Sequence, residues 1–352
     1  MNSSSPAADV SVIVVNYNGR HWLERCLAAT RAQLADHEEI VLVDNASTDG
    51  SLELVRERFP DVRLLALDRN LGFAGGNNAG ARTAKGRYLA LLNNDTVPQP
   101  GWLNALKAPL ERDPSVALAT SRIVYLHDPS VIDSAGDGYL RAGGAFKRFH
   151  GGPFALGNDS GEVFGACGAA CMVRRDVFVE LGGFDEDFFM VYEDVDLSYR
   201  ARLSGHRCVY VADAIVQHAG SGTLRRSSAA AVFFGQRNLE WTYLKNTPLT
   251  LLIRSLPSHA LYDAAALLTY VSGGLLGAYL KGKWAALKGL PVLLRKRSVV
   301  QSRRRATTRD LWQAMDRHWI RQKRSEKRFD FKLRGSPHRQ NTRSSGNPSD
   351  SS

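Results

Sequence analysis

The sequence YLALLNNDTVP, residues 88–98, contains a short apolar segment that ends abruptly in polar residues. The apolar part, residues 88–92, is long enough for one buried strand. Two asparagines and Asp95 follow at once, and Pro98 cannot extend a strand ladder, so the chain is expected to leave the sheet there. Because ligands of open α/β sheets bind outside the carboxyl ends of the strands, this polar cluster indicates a binding site. An aspartate in that position suits a divalent cation carrying phosphate oxygens, although Asn and Asp are also ordinary turn residues.

Three segments before this strand repeat the order of apolar strand, polar loop and helix. The strands are predicted at residues 10–15, 40–43 and 62–66, with helices at 21–34 and 51–59 and a Gly- and Asn-rich loop at 70–80 that runs into a third helix. Four β units joined by helical or long crossovers predict an α/β fold with a doubly wound, mostly parallel sheet. The loops after these strands should all lie at one edge of the sheet.

The composition is that of a globular protein, and it limits the class of function. The 352 residues suffice for one large domain or two ordinary ones. The net charge of +11 arises at the C-terminal end, because residues 281–352 contain 20 of the 46 Lys and Arg but only 5 of the 35 Asp and Glu. The remainder is slightly negative, which argues against a nucleic-acid-binding protein. The four cysteines lack zinc-finger spacing, and no signal peptide precedes the first strand, which favours a reducing cytoplasmic compartment.

The loops at the predicted sheet edge carry residue types that bind nucleotides. Tyr17 can stack on a base, and Asp44 can accept a hydrogen bond from the imide of a pyrimidine. Gly72, Gly75 and Gly76 would let the backbone approach a ligand closely. The chain has neither a GxGxxG nor a GxxxxGKS motif, which disfavours a nicotinamide enzyme and a P-loop NTPase.

Six motifs together resemble the inverting glycosyltransferases of family 2, which have the GT-A fold. They are VSVIVVNYNG from Val10, VDNASTDGS from Val43, NLGFAGGNNAG from Asn70, LLNNDTVP from Leu91, GGFDEDFFMVYEDVDLSYR from Gly182 and HAGSGT from His218. They span residues 10–223, and the rhamnosyltransferase-like branch of the family is the most similar. The resemblance implies an enzyme that transfers a sugar from a nucleoside diphosphate donor, bound in the Rossmann-like half of a GT-A domain.

The resemblance also implies a metal site and a donor site. Asp95 matches the last member of the family's metal-binding DxD motif, and His218 matches a histidine that completes the shell of a bound Mg²⁺ or Mn²⁺. The first member of the motif is Asn93 here, which removes one negative charge but keeps an oxygen ligand. A single histidine near a strand end also suits a purely structural role. The residues expected to bind the nucleotide sugar are Tyr17, Asp44, Asn70, Gly75, Asn77, Asn93 and Asn94.

A second acidic cluster, EDVD at residues 193–196, supplies the candidate general base. Inversion by a single displacement needs one base for the acceptor hydroxyl group, and Asp194 matches the base of the family. Glu193 is the reserve, because adjacent carboxylates cannot be ranked from sequence. Asp196 is spaced for a salt bridge with Arg200, which favours a structural role. An acidic first helical turn is also favoured by the helix dipole alone.

Three further predictions concern the segments between these motifs. Asp185, in the motif that leads to the base, is a hypothetical ligand of the acceptor. Residues 134–161 are rich in Gly and polar residues and are expected to form a mobile loop over the acceptor site. Residues 164–173 are expected to form a strand whose cysteines are buried small hydrophobes.

The character of the sequence changes after the predicted catalytic domain, residues 10–225. Residues 226–300 are predicted to be helical, and the apolar stretch 260–280 is borderline for a transmembrane span. Lys and Arg follow it, which indicates a helical element lying on an anionic membrane surface, at the cytoplasmic face of the plasma membrane. A buried accessory core is the alternative.

The two ends of the chain are predicted to be tails. Residues 1–9 are expected to be disordered. Residues 301–352 form a basic tail, with one interfacial helix at 311–324 and a disordered end from residue 335.

Together these features predict a metal-dependent, inverting glycosyltransferase at the membrane surface. The favoured reaction moves rhamnose from dTDP-rhamnose to a glycan or lipid-linked acceptor in cell-surface polysaccharide synthesis. A non-catalytic glycan-binding relative is an alternative that Asn93 permits. No nucleic-acid partner is expected.

Overall fold

The computed structural model describes residues 9–220 and 228–325 of the chain. Its first part consists of β1 (Val10–Asn16), α1 (Arg20–Arg31), β2 (Glu39–Asp44), α2 (Ser51–Arg58), β3 (Arg63–Ala66), α3 (Gly72–Thr83) and β4 (Tyr88–Asn93). All four strands are parallel, in the order β4–β1–β2–β3. This confirms the doubly wound α/β arrangement expected from the sequence.

Helices cover both faces of this part of the sheet. In β1 every residue except Val15 is buried, and successive side chains enter opposite core clusters, with Val12 and Val14 in one and Ile13 in the other. Strands buried on both faces have continuous apolar sequences rather than alternating ones. This is why the apolar pattern locates these strands to within one or two residues.

The sheet continues beyond β4 with strands of both directions. The elements are β5 (Thr96–Pro98), α4 (Trp102–Arg112), β6 (Val116–Tyr125), β7 (Ile132–Ser134), β8 (Asp137–Tyr139), β9 (Ala145–Lys147), β10 (Gly161–Val163), β11 (Ala170–Arg174), α5 (Arg175–Glu180), α6 (Glu193–Leu203) and β12 (Arg207–His218). Strand β11 is antiparallel to β4 and β6, whereas β12 is parallel to β6. The sheet is therefore mostly parallel on one side and mixed on the other.

The prediction that the chain leaves the sheet after β4 is wrong. Strand β5 pairs antiparallel with the end of β12, with Thr96 opposite His218. Pro98 is tolerated because it is the last residue of a short strand, where the ladder ends. The turn that carries Asp95 therefore joins two strands of one sheet, and this pairing brings His218 beside it.

Residues 134–161 do not form the expected loop. Strands β8 and β9 make a small antiparallel hairpin, with Asp137 opposite Lys147, and Ser134 and Tyr139 are buried. The strands here have three residues each, which is too short for an apolar alternation to be visible. In the next segment the strand begins only at Ala170, while all four cysteines are buried and unpaired, as expected.

Five helices that lie wholly within the described residues follow the described part of the catalytic region. They are α7 (Ala229–Asn246), α8 (Leu249–Ser272), α9 (Leu276–Lys288), α10 (Leu290–Ser302) and α11 (Thr308–Ala314). They pack onto it, since Leu251 of α8 and Leu311 of α11 share an apolar cluster with Tyr139 and Tyr199. The predicted interfacial helix at residues 311–324 is interrupted: α11 begins after its N-cap, Thr307, and ends at Ala314, and the chain is helical again from residue 319 to residue 325. Among the described residues, no helix is both long and apolar enough to cross a membrane.

The side chain of Asn238 in α7 holds the segment that leads into α6. Its amide nitrogen donates to the carbonyl oxygens of Phe188, Met190 and Val191 at 3.0, 2.9 and 2.7 Å. Val191 and the following Tyr192 have positive φ angles of 67° and 77°, which non-glycine residues rarely adopt. Helix α7 therefore fixes the strained turn from which Glu193 and Asp194 project.

The predicted domain boundary at residues 225–226 and most of the predicted tails lie outside the described residues. Residues 1–8, 221–227 and 326–352 lie outside the description, and the predictions made for them stay predictions. Asp9, the last residue of the predicted N-terminal tail, forms ion pairs with Arg87 and Lys107 at 3.2 and 2.8 Å.

Candidate active site

A chain of buried polar side chains joins the carboxyl ends of β4, β1 and β2. Asn94 donates to Asn16 Oδ1 at 2.7 Å, and Asn16 Nδ2 donates to Asp44 Oδ1 at 3.0 Å and to Ser47 Oγ at 3.0 Å. The backbone N–H of Ser47 in turn donates to Asp44 Oδ2 at 2.9 Å. Beside this chain, Tyr17 is 39% exposed, so its ring is accessible to a base.

This network changes the role expected for Asn94. Its amide points inward and is buried, so it holds the strand ends together rather than facing a ligand. Asn16, which the sequence analysis missed, is the centre of the network. The only signal for it was a polar residue ending an apolar strand. Asp44 is held rigidly at the edge, where a nucleotide base was expected to bind.

The start of α3 is fixed by two asparagines. Asn70 Oδ1 accepts from the N–H of Gly72 at 2.8 Å, and Asn45, also missed, donates to the carbonyl oxygen of Gly72 at 2.9 Å. A Cβ atom at Gly75 would lie 2.6 Å from Leu71 Cβ, so this glycine is needed for packing within the chain. Asn77 donates to the carbonyl of Phe73 four residues earlier, inside the helix, at 2.9 Å. The structure therefore gives Asn70, Gly75 and Asn77 local contacts that shape the expected donor loop.

The two expected metal ligands lie together. His218 Nε2 is 3.2 Å from Asp95 Oδ1, although 123 positions separate the two residues in sequence. On its other side, His218 Nδ1 donates to Asp133 Oδ2 at 2.8 Å. Asp133 is fully buried and also accepts two hydrogen bonds from Lys147 Nζ, at 3.0 and 2.9 Å. Asp133 thus fixes the ring of His218 so that Nε2 points to Asp95.

The charges around His218 determine whether its ring is protonated on both nitrogens. Burial alone would lower the pKa of His218, but the hydrogen bonds with Asp133 and Asp95 outweigh this effect and raise the pKa to about 9. Lys147, His150 and His218 hold the pKa of Asp133 well below its usual value despite burial. Because a metal-bound imidazole must be neutral at the ligating nitrogen, a cation at this position would displace the proton on Nε2.

The donor set fits a divalent cation. A carboxylate oxygen and an imidazole nitrogen converge at one edge of the sheet, and a buried carboxylate supports the imidazole from behind. Half-buried Asn93 lies two residues before Asp95, and its side chain makes no hydrogen bond to any residue in the described ranges. Its amide oxygen is therefore available as a further ligand for a cation such as Mg²⁺ or Mn²⁺.

The candidate base is linked to the metal side through one short turn. Asp194 Oδ2 accepts from the N–H of Gly168 at 2.8 Å, and the carbonyl oxygen of the next residue, Ala169, accepts from the N–H of Asn93 at 2.9 Å. Asp194 is half-buried. Burial raises its pKa, although the backbone donors Gly168 and Val195 act in the opposite direction. A carboxylate with these properties can receive a proton from an acceptor.

Glu193 differs from its neighbour in accessibility. It is 6% exposed, and its Oε2 atom has no hydrogen-bond partner in the described part of the chain. Burial and the charge of Asp194 raise the pKa of Glu193 well above its usual value. Among the two carboxylates, Asp194 is the more accessible to an acceptor.

The structure assigns different partners to Asp196 and Asp185. Asp196 binds Arg200 and Lys245, each at 2.8 Å, in agreement with the expected structural role. Asp185 was expected to contact the acceptor, but its carboxylate pairs with Lys245 at 2.6 Å and with Lys296 of α10. Against the effect of burial, these lysines hold the pKa of Asp185 below its usual value. Both of its oxygens help to join the C-terminal helices to the catalytic region, and its expected contact with the acceptor stays a prediction.

The sheet is parallel from β4 to β3 and has strands of both directions beyond β4, where the imidazole of His218 lies beside the carboxylate of Asp95. This is the architecture of a GT-A glycosyltransferase. Residues 11–182 match the sequence model of Glycosyl transferase family 2. The N-acetylglucosaminyl-diphospho-decaprenol L-rhamnosyltransferase of Mycobacterium tuberculosis is 31% identical over 244 residues, which cover 62% of this chain and 78% of the relative. The chain belongs to glycosyl transferase family 2, whose members are inverting glycosyltransferases.

Two solved structures share the fold. GalNAc-T7, with UDP, GalNAc and Mn²⁺, is 19% identical with a TM-score of 0.53, over 67% of this chain and 48% of that one. The mannosyltransferase PcManGT from Pyrobaculum calidifontis, with GDP-Man and Mn²⁺, is 22% identical with a TM-score of 0.50, over 85% and 86%. Identities this low support the fold alone.

Proposed function

We propose that the protein is a metal-dependent glycosyltransferase that moves rhamnose from dTDP-rhamnose to a lipid-linked glycan acceptor in cell-surface polysaccharide synthesis. The observation that carries the proposal is the position of Asp194. Its carboxylate is bound by the N–H of Gly168, and the carbonyl oxygen of the next residue, Ala169, binds the N–H of Asn93. A single displacement at the anomeric carbon needs a general base and a cation, and the candidate positions for both lie on adjacent turns. The choice of rhamnose and of a lipid-linked acceptor rests on the relative from Mycobacterium tuberculosis, whose name states both.

In the proposed reaction, Asp194 takes the proton of the acceptor hydroxyl group as its oxygen attacks the anomeric carbon. The N–H of Gly168 keeps one carboxylate oxygen in place. Asp95, His218 and the Asn93 amide would hold a divalent cation, which would neutralise the diphosphate leaving group. The strand-end network holds Asp44 in place, and Tyr17 would pack against the base.

A donor panel tests the proposal. Purified full-length protein would be mixed with dTDP-rhamnose, UDP-GlcNAc or GDP-mannose, with Mn²⁺ or Mg²⁺, and with an N-acetylglucosaminyl diphosphate lipid as acceptor. We expect nucleoside diphosphate release from dTDP-rhamnose, abolished by chelator and restored by added cation. Release from a different donor would show that another sugar is transferred, but the protein would still be a glycosyltransferase. Acceptor binding without release from any donor would instead support a non-catalytic glycan-binding protein.

The C-terminal helices support the proposal that the protein works at an anionic membrane surface, on its cytoplasmic side. Of the 18 large apolar side chains that are exposed among the described residues, 13 lie in α8, α9 and α10. In α9 they recur every three or four positions and form one stripe, and exposed lysines lie next to it. An apolar stripe flanked by basic residues fits an interfacial helix. The stripe consists of Leu276, Leu280, Trp284 and Leu287.

Charged substitutions in this stripe should weaken membrane binding. We expect the Leu280→Glu, Trp284→Glu double variant to bind vesicles of anionic lipid at least about tenfold more weakly, because each side chain loses its apolar burial in the lipid. Val179→Glu, at an equally exposed apolar position in α5, is the matched control and should sediment with vesicles like the unmodified protein. If the double variant sediments with vesicles as completely as the unmodified protein, membrane docking by α9 is contradicted. Point variants are needed because truncation after α7 would remove core residues such as Leu251 and Leu311.

A further inference from the structure

Asp137, the first residue of β8, is a buried carboxyl group beside the base that the proposed reaction does not use. It is 6% exposed. Its backbone exchanges two hydrogen bonds with Gly165, at 2.9 and 3.0 Å, so its position is fixed. An oxygen of Asp137, the sulfur of Cys167 and an oxygen of Asp194 all lie within 4.8 Å of one another. The side chain of Asp137 is thus directed towards the carboxylate of Asp194.

Unlike Asp133, Asp185 and Asp196, Asp137 has no side-chain partner in the part of the chain that the structure describes. Its carboxyl group makes no hydrogen bond or ion pair with any residue of the described ranges, whereas Asp133, Asp185 and Asp196 each bind a lysine. The nearby Lys147 is occupied by both oxygens of Asp133. A buried carboxyl group without a partner destabilises a fold, so a purely structural role does not account for Asp137.

A cation bound by this cluster is not favoured by the chemistry of Cys167. Burial raises the pKa of its thiol well above the usual value, so the sulfur keeps its proton. Protonated thiols are poor metal ligands. Burial and the charge of Asp194 likewise raise the pKa of Asp137 well above its usual value, so its carboxyl group can carry a proton and donate it to a hydrogen bond.

Building on the proposed function, we propose that Asp137 binds the acceptor, by a hydrogen bond to a second hydroxyl group of the acceptor sugar, next to the hydroxyl group that Asp194 deprotonates. Two hydroxyl groups on neighbouring ring carbons can meet two carboxyl groups that lie this close together. A protonated Asp137 donates to the second hydroxyl oxygen without adding a charge that would repel the base. The pair of carboxyl groups would then select acceptors with a vicinal diol and orient the reacting hydroxyl group.

The test compares Asp137→Val, whose side chain can neither donate nor accept a hydrogen bond, with the unmodified full-length protein. The acceptor probe is an N-acetylglucosaminyl diphosphate with a short alkyl chain, and its binding is measured by calorimetry, which needs no turnover. We expect about 10- to 100-fold weaker binding and a matching rise in acceptor KM, because one hydrogen bond in a desolvated site is lost or weakened. A probe that lacks the neighbouring hydroxyl group should bind the unmodified protein more weakly but the variant with little further loss.

A stability measurement separates this role from a structural one. Removing an unpaired, buried carboxyl group should leave the melting temperature unchanged or raise it by about 2 °C, whereas loss of a structural contact would lower it. Asp159→Asn, at an exposed position, is the control and should behave like the unmodified protein. Unchanged binding of the first probe by the variant, or weaker binding together with a lower melting temperature, would overturn the proposal. If the unmodified protein binds the probe but transfers sugar from no donor, the proposed reaction is wrong. The calorimetric comparison of the variant with the unmodified protein still tests the role of Asp137 in that case.

Discussion

Asp194→Asn should lower turnover by about 10²- to 10⁴-fold and leave donor binding nearly intact. The asparagine keeps the size of the side chain, and its oxygen can still accept from the N–H of Gly168, but the amide cannot take a proton from the acceptor. Single-turnover kinetics would measure the chemical step, and titration with the donor would measure binding.

Glu193→Gln is the matched control for this prediction. It changes the adjacent carboxylate, which is more deeply buried, and we expect turnover close to that of the unmodified protein. The reverse result, with loss of turnover only in the Glu193 variant, would assign the base to Glu193. Similar losses in both would indicate that the start of α6 is displaced, which the melting temperature would reveal.

The pH profile gives a second view of the same base. A general base must be deprotonated, so kcat/KM should fall as the pH decreases through the pKa of Asp194. Since burial raises that pKa, this decrease should occur at a higher pH than for an ordinary aspartate. A profile that shows no such decrease down to the usual aspartate range would argue against a buried base.

Asp133→Asn should weaken Mn²⁺ binding by about 10- to 100-fold. The substitution replaces the carboxylate that accepts from His218 Nδ1 at 2.8 Å by a neutral amide, so the ring loses the charge that increases the basicity of Nε2 and is held by a weaker hydrogen bond. Electron paramagnetic resonance of Mn²⁺ mixed with the protein and a nucleoside diphosphate would give the affinity without any turnover.

Lys147→Met is the matched control for the metal prediction. It removes the ion pair on the other side of Asp133 but leaves the contact with His218. We expect lower stability, because a buried carboxylate loses its cation, with a smaller change in Mn²⁺ affinity. Because the two substitutions change the net charge in opposite directions, equal loss of affinity in both would show that the intact ion pair of Lys147 and Asp133 is needed, and would contradict a specific role of the contact between Asp133 and His218.

The candidate metal ligands and the candidate base were predictable because each residue sits in a local motif. Asp95 follows a buried strand, and Asp194 begins a helix after a Gly- and Phe-rich turn. The residues that support them carried no such signal. Asp133 and Asp137 lie in a segment of three-residue strands. Asp133 contacts His218 across 85 positions of sequence, and Asp137 lies beside Asp194, 57 positions away.

The donor side shows a similar division. The asparagines and glycines of residues 70–80 indicated a ligand-binding loop, but Asn77 and Gly75 serve packing and hydrogen bonding within the chain. Residue type alone does not distinguish an asparagine that faces a ligand from one that fixes the backbone, since both roles use the same amide group. The partner of each side chain decides between them.

The sequence by itself determined the positions of the parallel strands, their carboxyl-edge loops and the family, because strands buried on both faces have continuous apolar sequences and short motifs follow them. Only the tertiary structure decided which carboxylates are paired. Asp185 is bound by lysines from the C-terminal helices, Asp133 supports His218, and Asp137 has no partner among the described residues. The physical reason is that the state of a buried charge depends on neighbours brought together by packing, often from distant parts of the chain.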